Sequence, residues 1–486
     1  MKGRKRTFVI LTTLTLLALS AILFSSGCGS TATREVTASP SGGKITKYEK
    51  GYRYDSNGWI YVHIEGEPYE RGYQHGRLVA RELAEIKKTQ QHIMLNDTGQ
   101  DYDYFVKAAE NLFVQKGQEE FLEEIKGIAD GAKSAGTDIT WQEVLEWNGD
   151  MELTGYWYPD LLAGDFPDTV DKTHCSAFIA TGSYTDGGKV VMAHNDWDHF
   201  VTGQFANMVL DIKPSKGHRM IMQAFPGCIA SMTDYFATDA GIMGTETTIG
   251  NYDGYDPTKT AEFYRMRKAT QYANNIDEWV KYMLENNNGG YANSWLLADA
   301  NTGEIMRFEL GLKYHSIKRT TDGYYIGFNS AIDPRIRNLE CGGDPTYYDV
   351  RTPMGARRVR LNQLISEHRG EIDTDLAKEI LSDHYDVYLN KADNPGSRTI
   401  EGCYWLDDFA YWQARRPYSP QGAVDGKVMD SEMAKDLSFV ARWGSSSGVA
   451  FDAGEFLEKH PQWNNLEGYL KDRPTEPWTR FTAGAQ

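Results

Sequence analysis

The run HCSAFIATGSYTDGGKVVMAHNDWDHF, from His174 to Phe200, decides how this chain folds. Cys175 opens an apolar stretch to Thr181 that reads as a strand. Thr185-Asp186-Gly187-Gly188 supplies turn residues, and Lys189–Ala193 reads as the returning strand. That strand ends in a dense polar cluster, His194-Asn195-Asp196-Trp197-Asp198. A hairpin of this kind sets a nucleophile at one strand end beside polar partners at the next. A cut before Cys175 would make it a chain terminus and give its thiol a base on the same residue, the α-amine.

Working outward, the chain changes character at about Asp171. Before it, Trp59–Ile64 reads as a short strand and Glu70–Gln90 as a helix. Asp103–Ala135 reads as further helices, with Phe121, Ile125 and Ile128 at helical spacing. Thr140 and Glu143 fit a capping box that opens another helix, to Asn148. After it come strands at Met208–Ile212, Met220–Phe225, Ser231–Ala237, Gly241–Thr247, Ser294–Asp299, Glu304–Leu310 and Tyr324–Phe328. Helices are expected at Thr260–Asn274, Ile276–Glu285, Thr352–His368 and Asp373–Ser382. Grouped strands with helices before and after predict an α+β fold of sheets held between helical layers.

The first 27 residues read as an export signal. Lys2, Arg4, Lys5 and Arg6 precede the apolar run Phe8–Phe24, and Ser25-Ser26-Gly27-Cys28 follows. The pattern resembles a bacterial lipoprotein signal with Cys28 as the lipidated residue. It predicts an exported, membrane-anchored protein of the cell envelope. Residues 28–58 then read as a tether rich in Ser, Thr, Gly and Lys. Losing the signal takes 51 basic residues to 47 against 68 acidic, so the charge moves from −17 to −21. Such a surface repels nucleic acid. The cysteines make no CxxC pair, which leaves zinc-ribbon and thioredoxin-type readings without support.

Several motifs resemble known families. Glu65-Gly66-Glu67-Pro68-Tyr69-Glu70-Arg71-Gly72 with His75-Gly76, and Glu124–Ala132 followed by Asn148, look like the penicillin acyltransferase-type group. His174-Cys175-Ser176-Ala177, His194-Asn195-Asp196-Trp197 and Pro420–Val428 are similar to the phospholipase B-like proteins. Both groups are N-terminal-nucleophile (Ntn) hydrolases. The resemblance implies a four-layer αββα sandwich, with residues 59–174 as a mostly helical segment packed on a catalytic segment, 175–486. It implies self-cleavage between His174 and Cys175, and hydrolysis or transfer of the acyl group of an acylated small molecule with no cofactor and no metal. Carried over residue by residue, Cys175 is the nucleophile and Asn293 an oxyanion donor. Arg357 lies near the nucleophile, and Asp196 or Asp198, in the cluster with Asn195, is the catalytic aspartate. Thr399-Ile400-Glu401-Gly402-Cys403 departs from the cysteine-histidine pair of relatives, so no role is assigned there.

The chemistry suits those residues. An α-amine titrates near ~7.7–8.0 and a free thiol near ~8.5, so the amine takes the thiol proton close to neutrality. Thiolate is the attacking form and neighbouring positive charge favours it. Rival readings are a phospholipase B-like esterase releasing fatty acids from phospholipids, and an inactive surface-binding lipoprotein of the same fold. Two more local rivals are weaker. His194, Asp196, Asp198 and His199 are metal-ligand types without a distant partner motif. Gly444-Ser445-Ser446-Ser447-Gly448 matches an esterase elbow but leaves too little chain beyond it for that fold.

Overall fold

A computed structural model describes residues 34–115, 117–162, 175–408 and 417–485. The signal, Cys28 and His174 lie outside the described residues. In chain order the strands are β1 (Glu35–Thr37), β2 (Thr46–Tyr48), β3 (Gly51–Ser56), β4 (Trp59–Gly66), β5 (Cys175–Thr181), β6 (Val191–His199), β7 (Met208–Pro214), β8 (Met220–Ala224), β9 (Phe236–Thr238), β10 (Ile242–Thr248), β11 (Asn293–Asp299), β12 (Glu304–Leu310), β13 (His315–Thr320), β14 (Gly323–Gly327), β15 (Gln421–Asp430), β16 (Ser438–Trp443) and β17 (Trp478–Thr482). They form a seven-stranded sheet, β1-β17-β16-β15-β6-β5-β14, and a ten-stranded sheet, β13-β12-β11-β10-β9-β8-β7-β4-β3-β2.

Side-chain alternation stacks the two sheets. On β11, Trp295 and Leu297 join a core with Phe105, Ile125 and Leu145, whereas Leu296 and Ala298 join one with Ala177, Phe178 and Ala193 of β5 and β6. One face of the larger sheet therefore meets the helices α1 (Pro68–Leu78), α2 (Ala80–Thr98), α3 (Tyr102–Phe113), α4 (Glu119–Ser134) and α5 (Trp141–Glu152). The other face meets the smaller sheet. Helices Pro353–Glu367 and Thr374–Leu381 cover that sheet's far side, with Leu361, Ile365 and Ile380 in the shared core. The layers run α, β, β, α. Sheets buried on both faces explain why their strands read as near-continuous apolar runs.

The motif residues before Asp171 build one helix pair and a clamp. At Gly72 and Gly76 of α1, a Cβ would fall on the carbonyl oxygens of Glu124 and Ile128 in α4, so only glycine lets the backbones meet. Arg71 crosses that contact to Glu124 at 2.7 Å, and Arg267 meets the same carboxylate at 3.0 Å. Removing one partner of a buried ion pair typically costs about 3–5 kcal/mol.

Three expectations are corrected. The stretch read as a tether supplies β1, β2 and β3, because Val36 and its neighbours pair in parallel with β17 and Tyr52 pairs with His63. Its polar residues face solvent on edge strands, a pattern that composition alone does not separate from a linker. The polar cluster lies inside β6, which runs on to His199. The helix from Glu70 breaks at Val79 into α1 and α2. The capping box at Thr140 and Glu143 is present. No helix among the described residues is long and apolar enough to cross a membrane.

Candidate active site

Cys175 is the first residue of β5, and each of its functional atoms has a partner. Its backbone nitrogen donates to Asn329 Oδ1 at 3.1 Å. Its carbonyl oxygen accepts from Arg357 Nη1. Its Sγ stands 3.9 Å from Asp196 Oδ1. Arg357 also donates to Ser176 Oγ at 3.2 Å and through Nη2 to Asn329 Oδ1 at 2.9 Å, and its guanidinium lies 4.0 Å from the Trp197 ring centre. Asn329 completes the brace by donating to Thr248 O at 2.9 Å on the opposite sheet. It sits just beyond β14 with a φ of 64°, a left-handed conformation that asparagine tolerates better than most residues.

Strand register decides which polar residues join Cys175. Cys175 pairs with Asp196, and Ser176 with Asn195. Directly paired residues point to one face, so Asp196 shares the thiol's face and Asn195 does not. Asn195 instead donates to Leu381 O at 2.8 Å and Ile400 O at 3.2 Å, and accepts from Ser446 Oγ at 2.5 Å. The expectation that Asn195 belongs to the catalytic cluster is corrected: it ties β6 to the helical layer behind it. Asp198 is two residues past Asp196. Its Oδ1 accepts from His199 N at 2.6 Å and Thr202 Oγ1 at 3.1 Å, capping the turn Phe200–Gly203.

The surroundings of the thiol are acidic and dry. Asp425 pairs with Asp196 on β15, and Lys427 Nζ meets Asp425 Oδ1 at 2.6 Å and Gln223 Oε1 at 2.5 Å. Burial pushes the Cys175 thiol well above its ordinary range, with Glu246 and Asp196 adding to the effect. Burial also drives up the Asp196 carboxyl, against the pull of Lys427. Cys175 is therefore held as a thiol. Arg357 is drawn down to about 10 by burial and remains a cation at neutral pH. Asn293, first residue of β11, donates to Glu246 Oε2 at 2.7 Å and Ala292 O at 3.0 Å, and Tyr291 OH donates to Glu246 Oε1 at 3.0 Å. Glu246 thus links Asn293 to the thiol's surroundings.

A cavity of about 530 Å³ reaches this point, with Asp196, Trp197, Thr248 and Tyr291 in its wall. Much of the remaining lining is apolar: Met94, Trp147, Phe225, Met232 and Leu466. Two of the N-terminal motif residues hold that lining in place. His75 Nε2 accepts from Gly227 N at 3.0 Å, and Asn148 donates to Gly227 O at 3.0 Å while accepting from Ile229 N at 2.8 Å. Burial pulls His75 down to about 4, which keeps it the neutral acceptor this bond needs.

A second cysteine cluster lies apart from the cavity. Ligand atoms of His384, Glu401 and Cys403 lie within 4.8 Å of one another, and His194, Asp196, Asp198 and His199 form no such group among the described residues. Cys403 therefore meets a histidine after all, but one from a distant segment. Glu401 accepts from His384, from Ser445 Oγ and from Ser447 N and Oγ, so its carboxylate is already satisfied. Ser446 donates to Asn195. The Gly444–Gly448 run is thus a turn that supports this cluster, with no seryl oxygen on an imidazole among the described residues. The four described cysteines, Cys175, Cys228, Cys341 and Cys403, are all free and buried.

The structure gathers Cys175, Asp196 and Arg357 into one centre, places Asn293 one residue away through Glu246, and moves Asn195 to the opposite face. Sequence reasoning missed Asn329, Glu246 and Tyr291. Glu246 had a signal, a lone acid inside the apolar strand expected at Gly241–Thr247. Asn329 had a weaker one, an asparagine just past a strand end.

Residues 70–311 match the protein-family model described as Phospholipase B. An uncharacterized protein of Archaeoglobus fulgidus is 23% identical over 442 residues, spanning 79% of this chain and 70% of its own length. The phospholipase B-like 1 protein of Caenorhabditis elegans is 24% identical over 318 residues, 58% of this chain and 54% of that one. Among solved structures, a mutant of the conjugated bile acid hydrolase from Clostridium perfringens aligns with a TM-score of 0.32 and 12% identity, over 55% of this chain and 89% of that one. With the two-sheet, four-layer architecture and the matched motifs, the chain is similar across residues 70–311 to the phospholipase B-like proteins, a hydrolase-type family.

Proposed function

We propose that this protein is an exported, self-processed cysteine hydrolase that cleaves the amide bond of an acylated small molecule, or transfers its acyl group, through a thioester on Cys175. The observation that carries the reading is the brace around Cys175: Asn329 on its nitrogen, Arg357 on its carbonyl oxygen and Asp196 at its sulfur. A merely structural core cysteine needs none of these.

In processing, the Cys175 thiol attacks the carbonyl carbon of His174. The peptide nitrogen leaves as the α-amine, and water hydrolyses the resulting thioester. In turnover the free amine takes the thiol proton, and the thiolate adds to the substrate carbonyl. Collapse of the adduct expels the substrate amine, which picks up the proton. Water activated by the α-amine then releases the acid. Asn329 Oδ1 would orient the amine and Asp196 hold its charged form, while backbone N–H groups serve the oxyanion, joined by Asn293 once its amide turns from Ala292 O. One such donor is typically worth ~3–4 kcal/mol of barrier stabilisation. The cavity's apolar lining suits the acyl chain. A lipid anchor on Cys28 would hold the enzyme at the envelope.

The family description favours a second reading, an esterase acting on phospholipids. Matched ester and amide substrates with one acyl chain decide between them. The amide should be hydrolysed, and an acyl adduct of Cys175 should appear on rapid acid quench. Turnover with no adduct, or turnover of the ester alone, refutes the amidase reading.

A further inference from the structure

The charge of the cavity wall bears on what the substrate carries beside its acyl chain. This step rests on the proposed acyl-hydrolase reading. Four carboxyls line the wall, Asp97, Asp150, Asp196 and Asp198, and no lysine or arginine does so among the described residues. The cations near the nucleophile are spent elsewhere. Arg357 is turned onto Cys175 O, Ser176, Asn329 and Pro353 O. Lys427 is held by Asp425 and Gln223. One wall group also has an open valence: Asp196 Oδ2 is buried without a hydrogen-bond partner, and Asp196 is 6% exposed. A buried carboxyl oxygen of that kind awaits a donor or a cation.

We infer that the cavity beside Cys175 takes acyl compounds whose second moiety is cationic or uncharged, and turns away those bearing a phosphate or carboxylate. A positive amine entering near Asp150, Asp196 and Asp198 pairs with groups that otherwise stand desolvated. A phosphate there finds no lysine or arginine for its oxygens and opposes ionisation of the wall's carboxyls. Asp150 is the tunable member. Burial, with the charge of Asp198 added, raises it to about 7, against a bond from Gln90 that lowers it. The histidines in the same wall are His92, bonded to Asn465 O at 2.6 Å, and His199.

The test uses the full chain and four dodecanoyl amides that differ only in the amine: 1,3-diaminopropane, ethanolamine, glycine and phosphoethanolamine. Expected kcat/KM for the first two exceeds that for the last two by about tenfold or more. In Asp150→Asn the cationic-to-glycine ratio should fall several-fold. Equal or faster cleavage of the glycine or phosphoethanolamine amide overturns the inference. If none of the four is cleaved, the hydrolase reading fails, and binding to Cys175→Ala measured by calorimetry still decides this one. The same rank order upholds it, and equal or reversed affinities overturn it.

Discussion

Cys175 and Cys403 are both buried thiols with a carboxylate at hand, yet they are built for different ends. Asp196 Oδ1 lies 3.9 Å from Cys175 Sγ, and Glu401 Oε2 lies 3.6 Å from Cys403 Sγ. Burial raises both thiols well above the ordinary range. The difference lies in what surrounds each pair. At Cys175 the backbone nitrogen and carbonyl are gripped by Asn329 and Arg357, and a cavity opens at Asp196. At Cys403 the carboxylate is saturated by His384, Ser445 and Ser447, and the cluster lines no part of that cavity. Proximity of thiol to acid does not mark a nucleophile. Control of its backbone ends and room for a substrate set the proposed nucleophile apart.

Four experiments sharpen that contrast. Cys175→Ala should abolish hydrolysis, by at least about 10³-fold, whereas Cys403→Ala should keep the rate within about twofold and lose about 1 kcal/mol of stability. Steady-state kinetics and urea melts read both. Comparable losses of activity in the two variants would erase the distinction. Asn329→Ala removes the acceptor that orients the Cys175 nitrogen. It should lower kcat about 100-fold with little change in KM, because it positions the base without touching the substrate. A change confined to KM would place Asn329 elsewhere.

Glu401→Gln breaks a buried ion pair and should cost about 3–5 kcal/mol while the folded protein still hydrolyses substrate. The pH dependence follows from the two shifts. Burial works against the charged His384, but Glu401 outweighs it and raises the imidazole. Burial likewise works against the Glu401 carboxylate, which His384 lowers nonetheless. The pair's contribution is therefore present below the ordinary histidine range and lost as pH rises through the raised His384 value. It is lost again in acid as Glu401 protonates. The gap in Tm between wild type and variant should close at both ends. Asp150→Asn tests a single titrating group on the cavity wall. Folded Asp150 titrates at about 7 against 3.8 for the free group, so the folded state holds a proton that the unfolded chain releases. Wild type should lose stability relative to the variant as pH rises from about 4 to 7. A constant difference across that window contradicts the assignment.

The hairpin at Cys175, the two sheets and the flanking helices were legible because apolar runs bounded by Gly and Asp turns carry period and punctuation along the chain. Thr140 and Glu143 announced their helix by local chemistry alone. Asn195 misled because adjacent residues in a strand look alike in sequence and face opposite ways in a sheet. The register that separates it from Asp196 comes from pairing with β5. Asn329 reaches Cys175 from 154 residues away and Arg357 from 182, so only folding brings them together. The resemblance supplied Arg357, and only its place just past a strand end marked Asn329. The strands at 35–48 were hidden because short edge strands carry the polar composition of linkers.

The central claim is that Cys175 becomes a chain terminus and acts from there. Intact-mass analysis of purified wild type beside Cys175→Ala tests it most directly. Two chains are expected from wild type, the second beginning Cys175-Ser176-Ala177, and a single uncut chain from the variant. A wild type that stays whole and hydrolyses acyl amides no faster than the variant would contradict it.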